Sequence, residues 1–250
     1  MQVAVLFAGC GRIGFSDVTR DAARDATHDG ATCATCDQGL VARWRLDEGG
    51  GTIAHDDIGG HDGTLQLAGT WGAAGVVGGA LSLQHGYVQS TWNLPAAAPS
   101  AFTVAMWVNV DPVQTQPYDR FFSSFFFTNA TGDGGALLMD NYSSDGLRCA
   151  PYIGGAFHYL EIDHVITLGT WQHIACIYDG LSVTEYVQAA PVGMLAASGT
   201  FGESKPYPVV IGASVDDMAN WENEAYMLVD DVRVYDRALT QAELSALASP

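Results

Sequence analysis

From residue 39 to about residue 236, apolar and polar positions alternate in short runs broken by Gly, Asp, Asn and Pro. Phe102, Val104, Met106, Val108 and Val110 alternate with Thr103, Ala105, Trp107 and Asn109, the period of two that a sandwich strand requires. The same reading predicts strands over 40–46, 80–83, 172–178, 183–187, 209–211 and 226–235. Only 240–247 changes to a helical period. There Thr240 can cap the first turn and Glu243, three residues on, completes a capping box. Many strands with one terminal helix predict an all-β, two-sheet antiparallel sandwich of the jelly-roll kind with a short C-terminal helix.

The charge changes the picture next. Against 28 acidic residues stand 10 basic ones, a formal net charge of −18. Such a surface repels nucleic acid and anionic membranes and suits neutral ligands or divalent cations. No apolar run reaches the roughly 18–20 residues of a spanning helix. Near the start, residues 3–10 (VAVLFAGC) are apolar up to small residues and a cysteine. This resembles the end of a bacterial lipoprotein signal peptide, without a basic leading region and with a short apolar one. The resemblance implies an exported protein lipidated on Cys10, with residues 1–10 as the signal remnant and a membrane reached only through that lipid. Residues 11–38 are small, polar and acidic, and read as a flexible tether to a domain over 39–250.

Cys33 and Cys36 form a C-x-x-C pair, which can hold zinc or act in redox chemistry. No βαβ pattern surrounds it and no second pair follows, so an exported chain favours a local disulfide. Cys149 and Cys176 fall in two strand-like segments and can bridge strands or sheets. The four cysteines allow three pairings, and the sequence leaves all three open.

An ordered set of segments identifies the relatives. GLVARWRLDEGGGT (39–52), HDGTL (61–65), GGALSL (78–83), YVQ (87–89) and FTVAMWVNVD (102–111) come first. LGTWQHIACIYDG (168–180), VVIGAS (209–214) and LVDDVRVYDRALTQAEL (228–244) follow. Together they resemble the laminin-G-like, concanavalin-A-like jelly-roll domains of bacterial surface proteins. That resemblance implies a module binding a polysaccharide or glycan, or a surface protein. Two segments depart from the family pattern. Tyr186-Val187 is followed by Gln188-Ala-Ala-Pro rather than an Asp-Gly turn, and an acidic loop becomes Leu83-Gln-His-Gly-Tyr-Val88.

The segment 228–235 (LVDDVRVY) carries the chemistry of interest. Strict alternation places Asp230 with Leu228, Val232 and Val234, and Asp231 with Arg233 and Tyr235. A carboxylate among apolar neighbours needs a cation or a pairing partner. The resemblance implies a structural Ca²⁺ held by Asp230 with the amino-terminal strand and loop, here Asp47, Glu48, Asp56, Asp57 and Asp62. A salt bridge from Asp230 to Arg43 or Arg45 is the alternative. For sugar binding, which needs aromatic platforms beside polar groups, the candidates are Trp92, Tyr118, Tyr142, Tyr152, Tyr159 and Trp221.

Catalysis has one candidate. Glu161-Ile-Asp163 resembles the first half of the E-[I/L]-D-x-x-E motif of laminarinase-type glycoside hydrolases, which share this sandwich. The third carboxylate would fall at Val165 or Ile166, which cannot transfer a proton. On one strand face Glu161 and Asp163 would stand about 6–7 Å apart, beyond the span of a retaining pair. The expectation is therefore a non-catalytic module, with an unusual hydrolase centred on Glu161 and Asp163 and a protein-interaction module as the alternatives.

Overall fold

The computed structural model describes residues 33, 35–94, 99–127, 134–216, 221–222 and 224–249. Two sheets face each other. The first runs in the order Ala190–Ala196, Ser182–Val187, Gln172–Tyr178, Phe102–Val110, Tyr226–Tyr235, Gly79–Gln84, Thr70–Ala74, with Leu40–Trp44 also on Tyr226–Tyr235. The second runs Ala156–Phe157, Leu147–Ile153, Gly134–Asp140, Arg120–Phe127, Pro208–Ile211, Tyr87–Asn93, Gly63–Gln66, Ile53–Ala54. Leu160–Ile162 pairs with Leu147–Ile153, and Ser214–Asp216 lies parallel to Arg120–Phe127.

Between the sheets the predicted alternation holds. Phe102, Val104, Met106, Val108 and Val110 all enter the buried core with Trp44, Phe121, Phe122, Leu137 and Met139. Each such large side chain removed from water stabilises the fold by about 1.5–3 kcal/mol. Trp171, by contrast, is only half-buried. The disulfide Cys149–Cys176 joins the strand Leu147–Ile153 of the second sheet to Gln172–Tyr178 of the first, across the core.

A second apolar cluster lies outside the sandwich. The helix Gln241–Leu247 starts at Thr240, whose hydroxyl accepts from the Glu243 amide while Glu243 reaches back to the Thr240 amide. Leu244 and Leu247 pack with Ala105, Ala175, Ile177 and Tyr235 on the outer face of the first sheet. The disulfide Cys33–Cys36 brings Cys36 into this cluster, and Arg237 donates to the carbonyls of Thr35 and Gln38. The end of the expected tether, at least Cys33 and residues 35–38, is thus part of the folded body. Its small residues hid this, because what holds them is a distant helix. Cys10 and residues 11–32 lie outside the described residues.

The turns on either side of Ser182–Val187 explain the departure at Gln188. Gly180 (φ 95°) and Asp179, whose carboxylate accepts from Leu181 and Ser182, make the turn at Ser182. The next turn is Gln188-Ala189, both residues at positive φ (51° and 60°), which a two-residue hairpin of matching twist requires. The Gln188 side-chain carbonyl accepts from the His173 amide, and this contact supports a turn with no glycine.

In the strand Tyr226–Tyr235 strict alternation fails at Asp230-Asp231. Met227 and Val229 face the core, and so do Val232 and Val234, so one extra residue is inserted between them. The pairing with Phe102–Val110 shifts between Asp230 and Arg233, and Asp231 has φ 49°. The strand needs this bulge because its other neighbour changes there, from Gly79–Gln84 to Leu40–Trp44. Leu228 is consequently not on the face of Val232 and Val234, whereas Asp231 does share a face with Arg233.

Candidate functional site

On the outer face of the second sheet, register builds a row across four strands. Arg120 is opposite Asp140, Asp140 opposite Arg148, and Arg148 opposite Glu161. Alternating signs in adjacent cross-strand positions are mutually favourable. Asp140 is fully buried and shared by both arginines. Arg148 donates to it through Nε at 2.9 Å and Nη2 at 2.5 Å, and Arg120 donates through Nη1. Arg120 also donates to Ser214 Oγ and to the Tyr118 carbonyl, and Arg148 reaches Glu161 at 3.4 Å.

Around Arg148 three of the predicted ligand residues converge. Its guanidinium carbon lies 5.0 Å from the Tyr118 ring, 6.0 Å from Tyr142 and 5.9 Å from Tyr159. Tyr118 and Tyr142 meet edge to face at 6.0 Å. Tyr159 continues to Phe157 at 6.1 Å, and Phe157 to Tyr152 at 5.1 Å and Phe125 at 5.3 Å. Tyr118 and Tyr159 are each 42% exposed, so the strip has faces open to a ligand.

Local structure fixes the strip. Asn141 donates through Nδ2 to Thr115 Oγ1 and the Gln116 carbonyl, and its main-chain carbonyl accepts from the Tyr118 amide. Asp119 accepts from Thr115 Oγ1 and the Gln116 amide, and burial raises its carboxyl above the ordinary range. This network holds Tyr118 at φ 73°, a conformation that costs a residue with a Cβ about 1–2 kcal/mol. The strain is spent on a side chain that points over Arg148.

The other candidates are elsewhere. Trp92 stacks on His61 (4.3 Å, 5° between planes), away from the tyrosines. Trp221 begins the short strand Trp221–Glu222. Glu161 and Asp163 do not share a strand face, because the strand Leu160–Ile162 ends between them and the chain bends through His164 at φ 58°. Asp163 accepts from Ser143 Oγ at 2.7 Å, and Glu161 belongs to the Arg148 row.

The expected metal ligands divide into two groups. Asp56 accepts from the amides of Arg43, Ile58, Gly59 and His61 and organises its loop. Asp62 accepts from the Asp56 amide, Glu48 from the His55 amide, and Asp57 lies 4.0 Å from Arg45. Asp230 and Asp47 meet on the turn at 75–79, and Asp47 also pairs with Arg45 (3.4 Å), the arginine near Asp57. Asp230 Oδ2 accepts from Val76 (2.7 Å) and Val77 (2.8 Å), and Asp47 accepts from Gly79. Asp230 Oδ1 is buried with no hydrogen-bond partner, and burial pushes this carboxyl up to about 7. Arg43 pairs instead with Asp231. Among the described residues, no group of three or more His, Cys, Asp or Glu is gathered to hold a metal ion.

Arg120, Asp140 and Arg148 carried no spacing signature. The available signal was Asp140 itself, a carboxylate ending the apolar run 134–139 and therefore in need of a cation.

A family model, described as the concanavalin A-like lectin/glucanases superfamily, matches residues 83–245. No curated protein matches the chain. Among solved structures the fold is similar to domain 4 of AbnA, a GH43 extracellular arabinanase from Geobacillus stearothermophilus, in complex with arabinotriose. The TM-score is 0.58 and the identity 17%, over 84% of this chain and 98% of that one. It is also similar to the binding domain of Paraclostridial Mosquitocidal Protein 1 (TM-score 0.62, 14% identity, 85% of this chain and 52% of that one). A third is the binding domain of botulinum neurotoxin DC in complex with rat synaptotagmin II (TM-score 0.61, 10% identity, 85% and 52%). This chain spans about half the length of those two toxin domains. At such identities the likeness is one of fold.

Proposed function

We propose, from the premise that this chain belongs to the concanavalin A-like lectin/glucanases superfamily, that it is a non-catalytic module holding a neutral polysaccharide on the outer face of its second sheet. The observation that carries this reading is the convergence of Tyr118, Tyr142 and Tyr159 on Arg148. Tyrosine rings offer flat apolar faces to the C–H side of a sugar, and a guanidinium between them donates to hydroxyls. The arginines are balanced by Asp140 and Glu161, and the chain carries −18 overall, which disfavours polyanionic glycans. A non-catalytic role is supported by the engagement of Glu161 with Arg148 and of Asp163 with Ser143.

A panel of immobilised polysaccharides, run beside a reducing-sugar assay, tests this reading. Tyr142→Ala and Tyr159→Ala should each weaken retention about tenfold, the effect of losing one stacking contact of roughly 1–1.5 kcal/mol. Sugar release that Glu161→Gln abolishes would make the protein a hydrolase instead. Binding to a surface protein but to no glycan would favour the interaction module.

We infer also that one structural Ca²⁺ is held by Asp230 and Asp47, the buried unpartnered Asp230 Oδ1 being the atom that fits a cation. A hard cation there would neutralise Asp230 beside Asp47, whose other oxygen pairs with Arg45. At free calcium about 100 times its dissociation constant the gain should be roughly 2.7 kcal/mol, seen as a higher melting temperature than in chelator. Asp230→Ala should lose the calcium increment, and Asp231→Ala, although less stable, should keep it. An identical melting temperature for the parent in calcium and chelator would remove the ion from this account. Export completes the reading, with lipid on Cys10. Membrane fractionation tests that part, and a full-length parent as soluble as Cys10→Ala would end it.

A further inference from the structure

The charged row on the outer face of the second sheet uses its two carboxylates differently. Asp140, inside the row, gives both oxygens to Arg120 and Arg148 and is fully buried. Glu161, at the end of the row, is held loosely. Its Oε1 meets Arg148 Nη1 at 3.4 Å, longer than a normal N–H···O bond. That is its one hydrogen bond among the described residues, and its side chain is 33% exposed. An ionised carboxylate accepts several donors, so Oε2 has its capacity to spare.

A ring platform stands beside this acceptor. Tyr159 and Glu161 lie on the outer side of their segment, with Leu160 buried between them. Tyr159 is 42% exposed, and its ring centre is 5.9 Å from the Arg148 guanidinium carbon. The strand Leu160–Ile162 pairs only with Leu147–Ile153, so no further strand of the sheet lies beyond Glu161 among the described residues. A chain lying on Tyr159 can run on over this edge. The unit that meets Glu161 is then an internal one.

We propose, resting on the reading of the tyrosine face as a polysaccharide site, that Glu161 and Arg148 select the ligand by reading two adjacent free hydroxyls. One hydroxyl donates to Glu161 Oε2, and its neighbour accepts from Arg148 Nη1. The two side chains are cross-strand partners, and their separation is close to that of neighbouring hydroxyl oxygens on a sugar ring. The ligand class is a neutral polysaccharide whose internal units keep a vicinal diol, as 1,4-linked hexopyranose and 1,5-linked arabinofuranose chains do. Internal units of a 1,3-linked glucan have none, because the linkage takes the oxygen between the two ring hydroxyls left free. Such a chain would cover one of the two protein groups without pairing it.

Affinity electrophoresis of the full-length protein through gels holding 1,4-linked glucomannan, 1,5-linked arabinan or 1,3-linked glucan tests this. At least one of the first two should retard the parent, and the third should not. Periodate, which cleaves the carbon–carbon bond of a vicinal diol, followed by borohydride should abolish the retardation. In Glu161→Gln the amide carbonyl stays with Arg148 and an NH₂ donor replaces the Oε2 acceptor. Affinity should then fall about tenfold, and periodate treatment of the polymer should matter less than it does for the parent. Asp163→Asn, whose side chain is bonded to Ser143, should bind as the parent does. Equal retardation by intact and oxidised polymer, or by the 1,3-linked glucan, overturns the proposal and leaves the tyrosine face as a binding site. So does parental affinity in Glu161→Gln. An equal loss in Asp163→Asn would assign the effect to the loop and overturn it too. Retention of no glycan, in these gels or on the immobilised panel, removes the tyrosine-face reading and this proposal with it.

Discussion

Each outer face of the sandwich carries an aspartate shared by two arginines, and the two triads differ in what surrounds them. On the first sheet Asp231 lies between Arg43 (2.8 Å) and Arg233 (2.8 Å). Burial alone would raise its carboxyl, but Arg233 and Arg43 hold it below the ordinary range. The three are closed in beside His173, which burial pushes down to about 4 and which is therefore neutral. On the second sheet Asp140 lies between Arg120 and Arg148, and there the charges are ringed by tyrosines with exposed faces. Arg43 and Arg233 are themselves cross-strand partners, so Asp231 is what relieves two like charges. Arg120, Asp140, Arg148 and Glu161 alternate in sign and need no such relief. The comparison teaches that a buried ion triad is not itself a functional signal. What distinguishes the faces is the aromatic surround.

The sharpest way to break this comparison is to remove the two aspartates in turn. Asp231→Ala should cost roughly 3–5 kcal/mol in urea unfolding, because two buried guanidinium groups lose their counter-charge. Glycan retention should persist in the fraction that folds. Asp140→Ala should cost a similar amount and also abolish retention, since Arg148 loses the carboxylate that fixes it under the tyrosines. Retention lost in folded Asp231→Ala would mean that the two faces do not divide their labour.

A smaller effect concerns Glu185, which projects between the sheets behind the second face. It is fully buried, and burial pushes it up to about 9 against the opposing effect of the Cys149 backbone amide. Of the charges that act on it, Glu161 raises it further and Arg148 opposes the rise. The unfolded chain gives up this proton near 4.5, whereas the folded protein keeps it to about 9. Between these values the unfolded state binds fewer protons, so stability falls as pH rises. Glu185→Gln should flatten that fall, with the largest gain in melting temperature at the alkaline end. A parent and variant whose melting temperatures run parallel from pH 5 to pH 9 would show that Glu185 is ionised when folded.

The sheets and the helix were legible in the sequence because their signals are local. Alternation over 102–110 depends on neighbours two residues apart, and the Thr240–Glu243 box on neighbours three apart. Tyr118, Tyr142 and Tyr159 could be named as ligand candidates from their loops, yet nothing local separated them from Trp92. Nor could spacing reveal that alternation breaks at Asp230, because the cause is a change of neighbouring strand.

The sequence by itself determined a two-sheet β sandwich, its principal strands and its capped helix, since side-chain periodicity and turn chemistry are written within a few residues. Only the tertiary structure decided which cysteines pair, which carboxylate meets which arginine and which aromatics share a face. Arg120, Asp140, Arg148 and Glu161 are separated by 20, 8 and 13 residues and become a row only when four strands align. Cys149 and Cys176 stand 27 residues apart and meet across the core. Register between strands is fixed by the whole buried face at once, so a site assembled across strands exists only after the sheet does.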